Sequence, residues 1–204
     1  MLLSLRPRMM LIIQHSLMTM ASSDLVKSLK RKILKDISVE AASEFDKNFE
    51  TQSFFGQAWQ RHKSPTRAGK HILVDSGGLR RSISSNTDED SITFQTFLPY
   101  ASIHNEGGEI KVTGRMKRFF WAMYYQANGG LGRRKDGTLR KDKRNARLST
   151  EAEFWKHMAL MKVGSTIRIP RRRFLGTHPD LEKEVTSIIE KRLSEFYSNP
   201  ENFK

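Results

Sequence analysis

Apolar residues recur every three or four positions from Asp24 to about Phe49, at Val26, Leu29, Ile33, Ile37, Ala41, Phe45 and Phe49. That spacing predicts a long amphipathic helix with Ser23 or Asp24 as its N-cap. Lys27, Lys30, Arg31, Lys32 and Lys35 fill much of its other surface, and a break is expected near Ser38-Val39 because the run is long for one globular helix. Phe54 to Gly69 reads as a linker with Pro65 and Gly69. Ile92, Phe94 and Leu98 then alternate with Thr93, Gln95 and Phe97 behind an Asp88-Glu89-Asp90 turn tip, so residues 82–98 form a predicted hairpin. It runs into Pro99, a short helical turn carrying Tyr100 and His104, and two glycines, Gly107 and Gly108.

Past this corner, Ile110-Lys111-Val112 and Ile167-Arg168-Ile169 share an apolar-basic-apolar pattern and read as two arms of a β-ribbon. Between them, Met116, Phe119, Phe120, Met123 and Tyr124 mark the apolar face of one helix, and Phe154, Trp155, Met158 and Met161 that of a second. These stripes are read as mutual packing faces rather than a cofactor box. Thr150-Glu151-Ala152-Glu153 is a capping box in front of the second helix. Leu181, Val185, Ile188, Ile189, Leu193 and Phe196 line a last helix, opened by His178-Pro179-Asp180 and closed at Asn199-Pro200. The expected fold is α+β: a small, mainly antiparallel sheet flanked by a long N-terminal helix and a C-terminal helix, with an inserted helical hairpin. One domain is expected over residues 21–197, with the insertion at 114–165, a dispensable or disordered leader at 1–20 and a tail at 198–204. Met18 and Met20 are alternative starts, and the apolar run Met9–Ile13 is too short for a secretory core or a membrane span.

Charge changes this picture. The 204 residues carry a formal net charge of +14. Twelve Lys/Arg lie between Lys111 and Arg147 against Asp136 and Asp142, a local +10. The loop running from Gly129-Gly130-Leu131-Gly132 to Arg147 is rich in glycine and arginine, so it is expected to be mobile until a partner orders it. Arg133, Arg134, Lys135, Arg140, Lys141, Lys143, Arg144 and Arg147 are its candidate contact residues. The patch suggests an acidic partner, either nucleic acid or an acidic protein surface.

Catalytic readings are weaker. Cysteine is absent, which excludes disulfides and thiolate metal sites. The six histidines show no ligand spacing and no HExxH pattern, so neither a metal nor another cofactor is expected. Asp75-Ser76-Gly77-Gly78 echoes the nucleophile segment of trypsin-like proteases, but His62 and His71 lie too close in sequence for that fold's triad. His104 could serve as a base, yet only Glu106 stands near it, and Tyr100 and His104 are read as structural. No catalytic residue is assigned, and no enzyme activity is expected.

Three stretches, taken in order, resemble one family. Asp75-Ser76-Gly77-Gly78-Leu79-Arg80-Arg81-Ser82-Ile83 fits D-[ST]-G-x-L-x-x-S-I; Tyr100 to Gly108 fits Y-A-x-x-H-x-x-G; Ile169-Pro170-Arg171-Arg172-Arg173-Phe174-Leu175-Gly176 fits I-P-x-R-x-F-L-G. Together they are similar to phage virion morphogenesis (tail-completion) proteins, the group of Mu-like tail-completion and long-tailed-phage neck proteins. The motif positions are Asp75, Gly77, Leu79, Ser82, Tyr100, Ala101, His104, Gly107, Pro170, Arg172, Phe174, Leu175 and Gly176. Arg171 and Arg173 stand where the family often has Ala and Pro. The resemblance implies a structural virion protein, assembled in the bacterial cytoplasm and seated at the head–tail junction or upper tail end. Its implied partners are copies of itself in a ring, neighbouring neck, head-closure or tail-tube proteins, and packaged DNA passing nearby, with no membrane. Arg80 and Arg172 are candidates for ion pairs within the subunit or across a ring interface. The alternative reading is a stand-alone nucleic-acid-binding protein using the basic segment 111–147.

Overall fold

The structure is a computed structural model that describes residues 2–5, 23–67 and 69–199. The fold is α+β, with small antiparallel sheets between long helices. By its internal contacts the chain forms two compact units, Met1–Trp59 with Leu73–Asn105 and Arg172–Lys204, and Gln60–Ile72 with Glu106–Arg171.

The first unit is built on α1 (Ser23–Thr51). Its 29 residues span about 43 Å at 1.5 Å per residue and run unbroken past Ser38-Val39. No glycine or proline interrupts the turn there, so the expected break does not occur; Ser38 Oγ instead donates to Ser85 Oγ (3.1 Å) and Val39 faces outward. The predicted stripe is the buried one: Leu29, Ile33, Ile37, Ala41, Phe45 and Phe49 all lie in the core, joined by Leu34. The helix ends on Gln52, whose φ of 56° is the left-handed conformation that stops a helix.

The segment expected to be a linker begins instead with a miniature hairpin, β2 (Ser53–Phe54) and β3 (Gln57–Ala58). Phe55 and Gly56 both have positive φ (46° and 85°), as a two-residue hairpin turn of this hand requires. Phe55 is an uncommon residue there. Its ring stacks on His178 (centroids 4.5 Å, 3° between planes) and its N–H donates to Asn48 Oδ1, contacts that hold the strained position.

A short helix, α2 (Gly78–Arg81), leads into the predicted hairpin β4 (Ser84–Thr87) and β5 (Ile92–Gln95). β5 is the central strand of three. Its outer neighbour is β1 (Leu2–Leu5), in antiparallel register from Leu2 opposite Gln95 to Leu5 opposite Ile92. Residues 2–5 of the expected leader are therefore paired in a sheet, while Met18 and Met20 lie outside the described residues. Ile92 and Phe94 point inward, with Phe94 edge-on to Phe45 at 5.0 Å. The corner helix α3 (Ala101–Glu106) follows.

The unit closes with α6 (Pro179–Tyr197), which packs along α1 through Leu181, Ile189 and Phe196. His178 is its N-cap, accepting at Nδ1 from the Asp180 N–H (3.2 Å), and Pro179 sits in the first turn where a missing N–H costs nothing. Arg192 on this helix donates to Asp36 of α1 and to Glu195, and these carboxylates raise its pKa.

The second unit holds the β-ribbon and the helical hairpin. β6 (Gly108–Lys111) and β7 (Thr166–Ile169) pair as expected, with Glu109 directly opposite Arg168 and joined to it at 3.3 Å. α4 (Gly114–Gly129) is capped by Thr113, whose side chain accepts from Met116 N. α5 (Lys143–Leu160) begins seven residues before the predicted capping box. Asp142 is the true cap, accepting from Asn145 N (2.8 Å), and Thr150 lies inside the helix bonded back to Ala146 O. The two helices pack through Phe120, Ala127, Ala152 and Ala159; small side chains at the centre let the backbones approach. Trp155 stacks on Phe120 at 5.9 Å, while Phe119, predicted inward, is half exposed beside it.

Candidate functional site

Within the first unit the first motif and the parts of the other two that lie there, Tyr100–Asn105 and Arg172–Gly176, assemble into one joint. The Asp75 motif supplies its tight entry. Gly77 adopts φ 73° ahead of α2, which puts Leu79 into the core and leaves Asp75 exposed. Ser82 Oγ donates to Leu79 O and shares a 2.7 Å hydrogen bond with Thr96 Oγ1, tying the end of α2 to the exit of β5. Arg80 reaches back to α1 and grips Asp46 with two guanidinium nitrogens, with Glu50 at 2.7 Å. That bond holds the Asp46 carboxyl below its ordinary pKa and raises that of the guanidinium. Arg80 is thus an ion-pair residue within the chain.

The second motif lies close by: a Cβ on Gly78 would come within 4.0 Å of the Tyr100 hydroxyl. In α3 only Ala101 and Asn105, one turn apart, are fully buried. Tyr100 is half exposed and its ring meets His104 edge-on at 6.2 Å. His104 contributes its backbone carbonyl, which accepts from Arg172 N at 2.7 Å.

The third motif is held by Asn105. Its Oδ1 accepts from both Phe174 N (2.9 Å) and Leu175 N (3.0 Å), and its Nδ2 donates to Leu175 O (3.1 Å). Asn48 on α1 donates to Phe174 O at 3.4 Å, and Trp59 Nε1 donates to Arg173 O at 2.7 Å. Residues 172–175 form no strand, yet the Arg173 carbonyl and the backbone polar groups of Phe174 and Leu175 are met by side chains. Phe174 and Leu175 can therefore sit in the core at 0% exposure, Phe174 against Phe49 at 5.5 Å. Arg172 is buried too, and loss of solvation lowers its pKa. In the second unit Gly107 has φ 74°, and a Cβ there would lie 3.0 Å from Arg171 N. Pro170 is half-buried at the end of the ribbon.

Asn105, Asn48 and Trp59 carry this arrangement, and sequence reasoning did not single them out. A polar residue one turn after a buried alanine was the available signal for Asn105.

The basic set divides between two settings. Arg133, Arg134, Lys135, Arg140 and Lys141 stand on a tight turn, not a formless loop: Arg133 bridges Leu139, Arg134 N donates to Thr138 O (2.7 Å), and Arg140 N donates to Gly132 O (2.9 Å). Asp136 caps the bend by accepting from Thr138 N and Oγ1, which lowers its pKa. Lys143, Arg144 and Arg147 belong to α5, and Arg147 pairs with Glu151 at 3.2 Å. All eight are exposed.

Among the described residues, no three His, Asp or Glu side chains stand where they could hold a metal ion, and no helix is long and apolar enough to cross a membrane. What the side chains converge on is a structural joint plus a basic surface, the equipment of an assembly protein. The model of the phage virion morphogenesis family matches residues 13–194, and the chain belongs to that family. No curated protein and no solved structure gives a significant match. The family gives the protein a structural role in building phage particles.

Proposed function

We propose that this protein completes the tail and joins it to the head, as a ring of identical copies at the head–tail junction or upper tail end. The observation that carries the reading is the joint itself: three family motifs are used to fix chain geometry through Asn105, Arg80 and Gly77. A subunit repeated in a ring needs that rigidity, since interface errors repeat with each copy. Neighbouring neck, head-closure or tail-tube proteins and the DNA passing nearby are the partners this role supplies, in a virion assembled in the host cytoplasm. A phage carrying an amber codon in this gene should yield filled heads and separate tails under the electron microscope. Immunogold label on intact virions should fall at the neck. Label confined to the baseplate or capsid shell, or normal particles from the amber phage, would overturn the proposal.

A stand-alone nucleic-acid-binding role is the second reading. It is favoured by one observation, the placement of charge. Residues 60–72 and 106–171 carry twenty Lys/Arg and six Asp/Glu, a net +14, and the other unit carries sixteen of each.

A further inference from the structure

We infer that the second unit bears a sequence-independent binding site for the phosphate backbone of duplex nucleic acid, built on residues 132–144. It rests on the second reading above, to which it gives a site and a ligand class, and it stands or falls apart from the head–tail role. The whole net charge of the chain lies in this unit, so long-range attraction for a polyanion is directed there.

The local structure turns that charge into a fixed site. Asn145, 4% exposed, accepts at Oδ1 from Gly132 N (2.9 Å) and donates through Nδ2 to Gly132 O (2.7 Å) and Arg140 O (2.8 Å). One side chain therefore clamps the roots of both basic arms, just before Arg133-Arg134-Lys135 and just before Lys141. Arg133 and Arg140 brace the bend further, donating to Gly137 O and Arg133 O. Arg134, Lys135, Lys141 and Arg144 remain exposed, with no ion pair among the described residues. The two acids of this stretch are engaged as caps at Thr138 and Asn145 rather than with these cations.

Composition distinguishes between the acidic partners that the sequence admits. A protein interface has an apolar, lysine-poor core, whereas a protein–DNA interface is polar and strongly positive. Residues 132–144 offer only Leu139 as an apolar side chain. They also contain no aromatic residue, so unpaired bases have nothing to stack on, which favours a duplex over a single strand.

The test is fluorescence anisotropy of full-length protein with a random-sequence duplex of about 30 base pairs, repeated between 50 and 200 mM salt. Binding should weaken with a log–log slope of about −0.9 for each phosphate neutralised. Replacing Arg134, Lys135, Lys141 and Arg144 together by Gln should flatten the slope by up to about 3.6, since all four are surface residues. Asn145→Ala keeps every charge and should still weaken binding about tenfold at 100 mM salt, with far-UV circular dichroism reporting on the helices. An unchanged slope in the fourfold variant overturns the inference. So does tighter binding of a single strand, or of poly-L-glutamate as a surrogate acidic protein, at the same salt. Wild-type affinity in Asn145→Ala overturns the clamped site.

Discussion

Asn105→Ala removes the acceptor of two amides and the donor to one carbonyl, all on Phe174 and Leu175, residues with 0% exposure. A buried polar group left without its partner costs about 1–3 kcal/mol. Three such groups would sum to more, but the space vacated by the amide can admit a water, so about 3–5 kcal/mol is expected. Against a typical stability of about 5–15 kcal/mol this is a large fraction. The assay is amide hydrogen exchange at Phe174 and Leu175 together with urea unfolding. A loss of 3 kcal/mol corresponds to about two decades of protection, since each 1.4 kcal/mol is tenfold. The control is His104→Ala: the His104 carbonyl that accepts from Arg172 N is backbone and survives the change. That variant keeps all three Asn105 bonds, so it should leave the Phe174 and Leu175 amides better protected than Asn105→Ala does and should remove no chemistry. Wild-type protection of both amides in Asn105→Ala, or an equal cost for the two variants, would refute the reasoning.

Three other perturbations test separate elements. Gly107→Ala places a side chain at φ 74° and its Cβ 3.0 Å from Arg171 N, and should lower stability by about 2 kcal/mol in thermal melts. Asp142→Ala should cost about 1 kcal/mol of stability by deleting the α5 cap, whereas Thr150→Ala should change it by less than about 0.5 kcal/mol; the reverse order would restore the capping box at Thr150. Asp46 has its folded pKa depressed by the Arg80 bond, so the stability it contributes is present above its unfolded pKa of about 3.9 and is lost as pH falls through the lower folded value. Asp46→Asn should therefore flatten the acid limb of stability below about pH 4.

Period and punctuation made most elements legible. The helical stripe of α1, the alternation in β5 and the matched ribbon arms needed only side-chain spacing, because burial on one face sets that spacing directly. Local capping chemistry misled where two signals competed. Thr150-Glu151-Ala152-Glu153 has the letters of a capping box, but the helix is capped eight residues earlier, by Asp142. Residues 143–149 read as loop because they are mostly polar or basic, with only Ala146 and Leu148 apolar, and a polar helical face looks the same in sequence as a solvated turn. Phe54 to Gly69 reads as linker on its Pro65 and Gly69, which hides the hairpin at its start; Phe is an uncommon turn residue, and stacking of Phe55 on His178, distant in sequence, supplies the compensation. The motif residues were legible as a set, but their reasons were not. Asn105 and Asn145 act on backbone atoms up to seventy and thirteen residues away, and such long pairings leave no periodic trace.

The joint and the basic turn use the same device. In each, a segment outside the regular strands is held by a buried asparagine, whose amide presents a donor and an acceptor together, as a peptide group does. Asn105 serves residues 174–175, Asn48 serves Phe174 and Phe55, and Asn145 serves Gly132 and Arg140. This lets irregular chain be fixed without lengthening a sheet, so no new exposed strand edge invites aggregation. It also makes the segments specific to one residue: aspartate would lack the donor and leucine both functions, so neither size nor polarity alone suffices. The chain leaves the first unit at residues 59/60 and 105/106 and re-enters it at 72/73 and 171/172, and at three of these four crossings the flanking residue, Trp59, Asn105 or Arg172, is anchored inside that unit. In a protein built to assemble, the ends of this core are then held by a few buried hydrogen bonds rather than by surface charge.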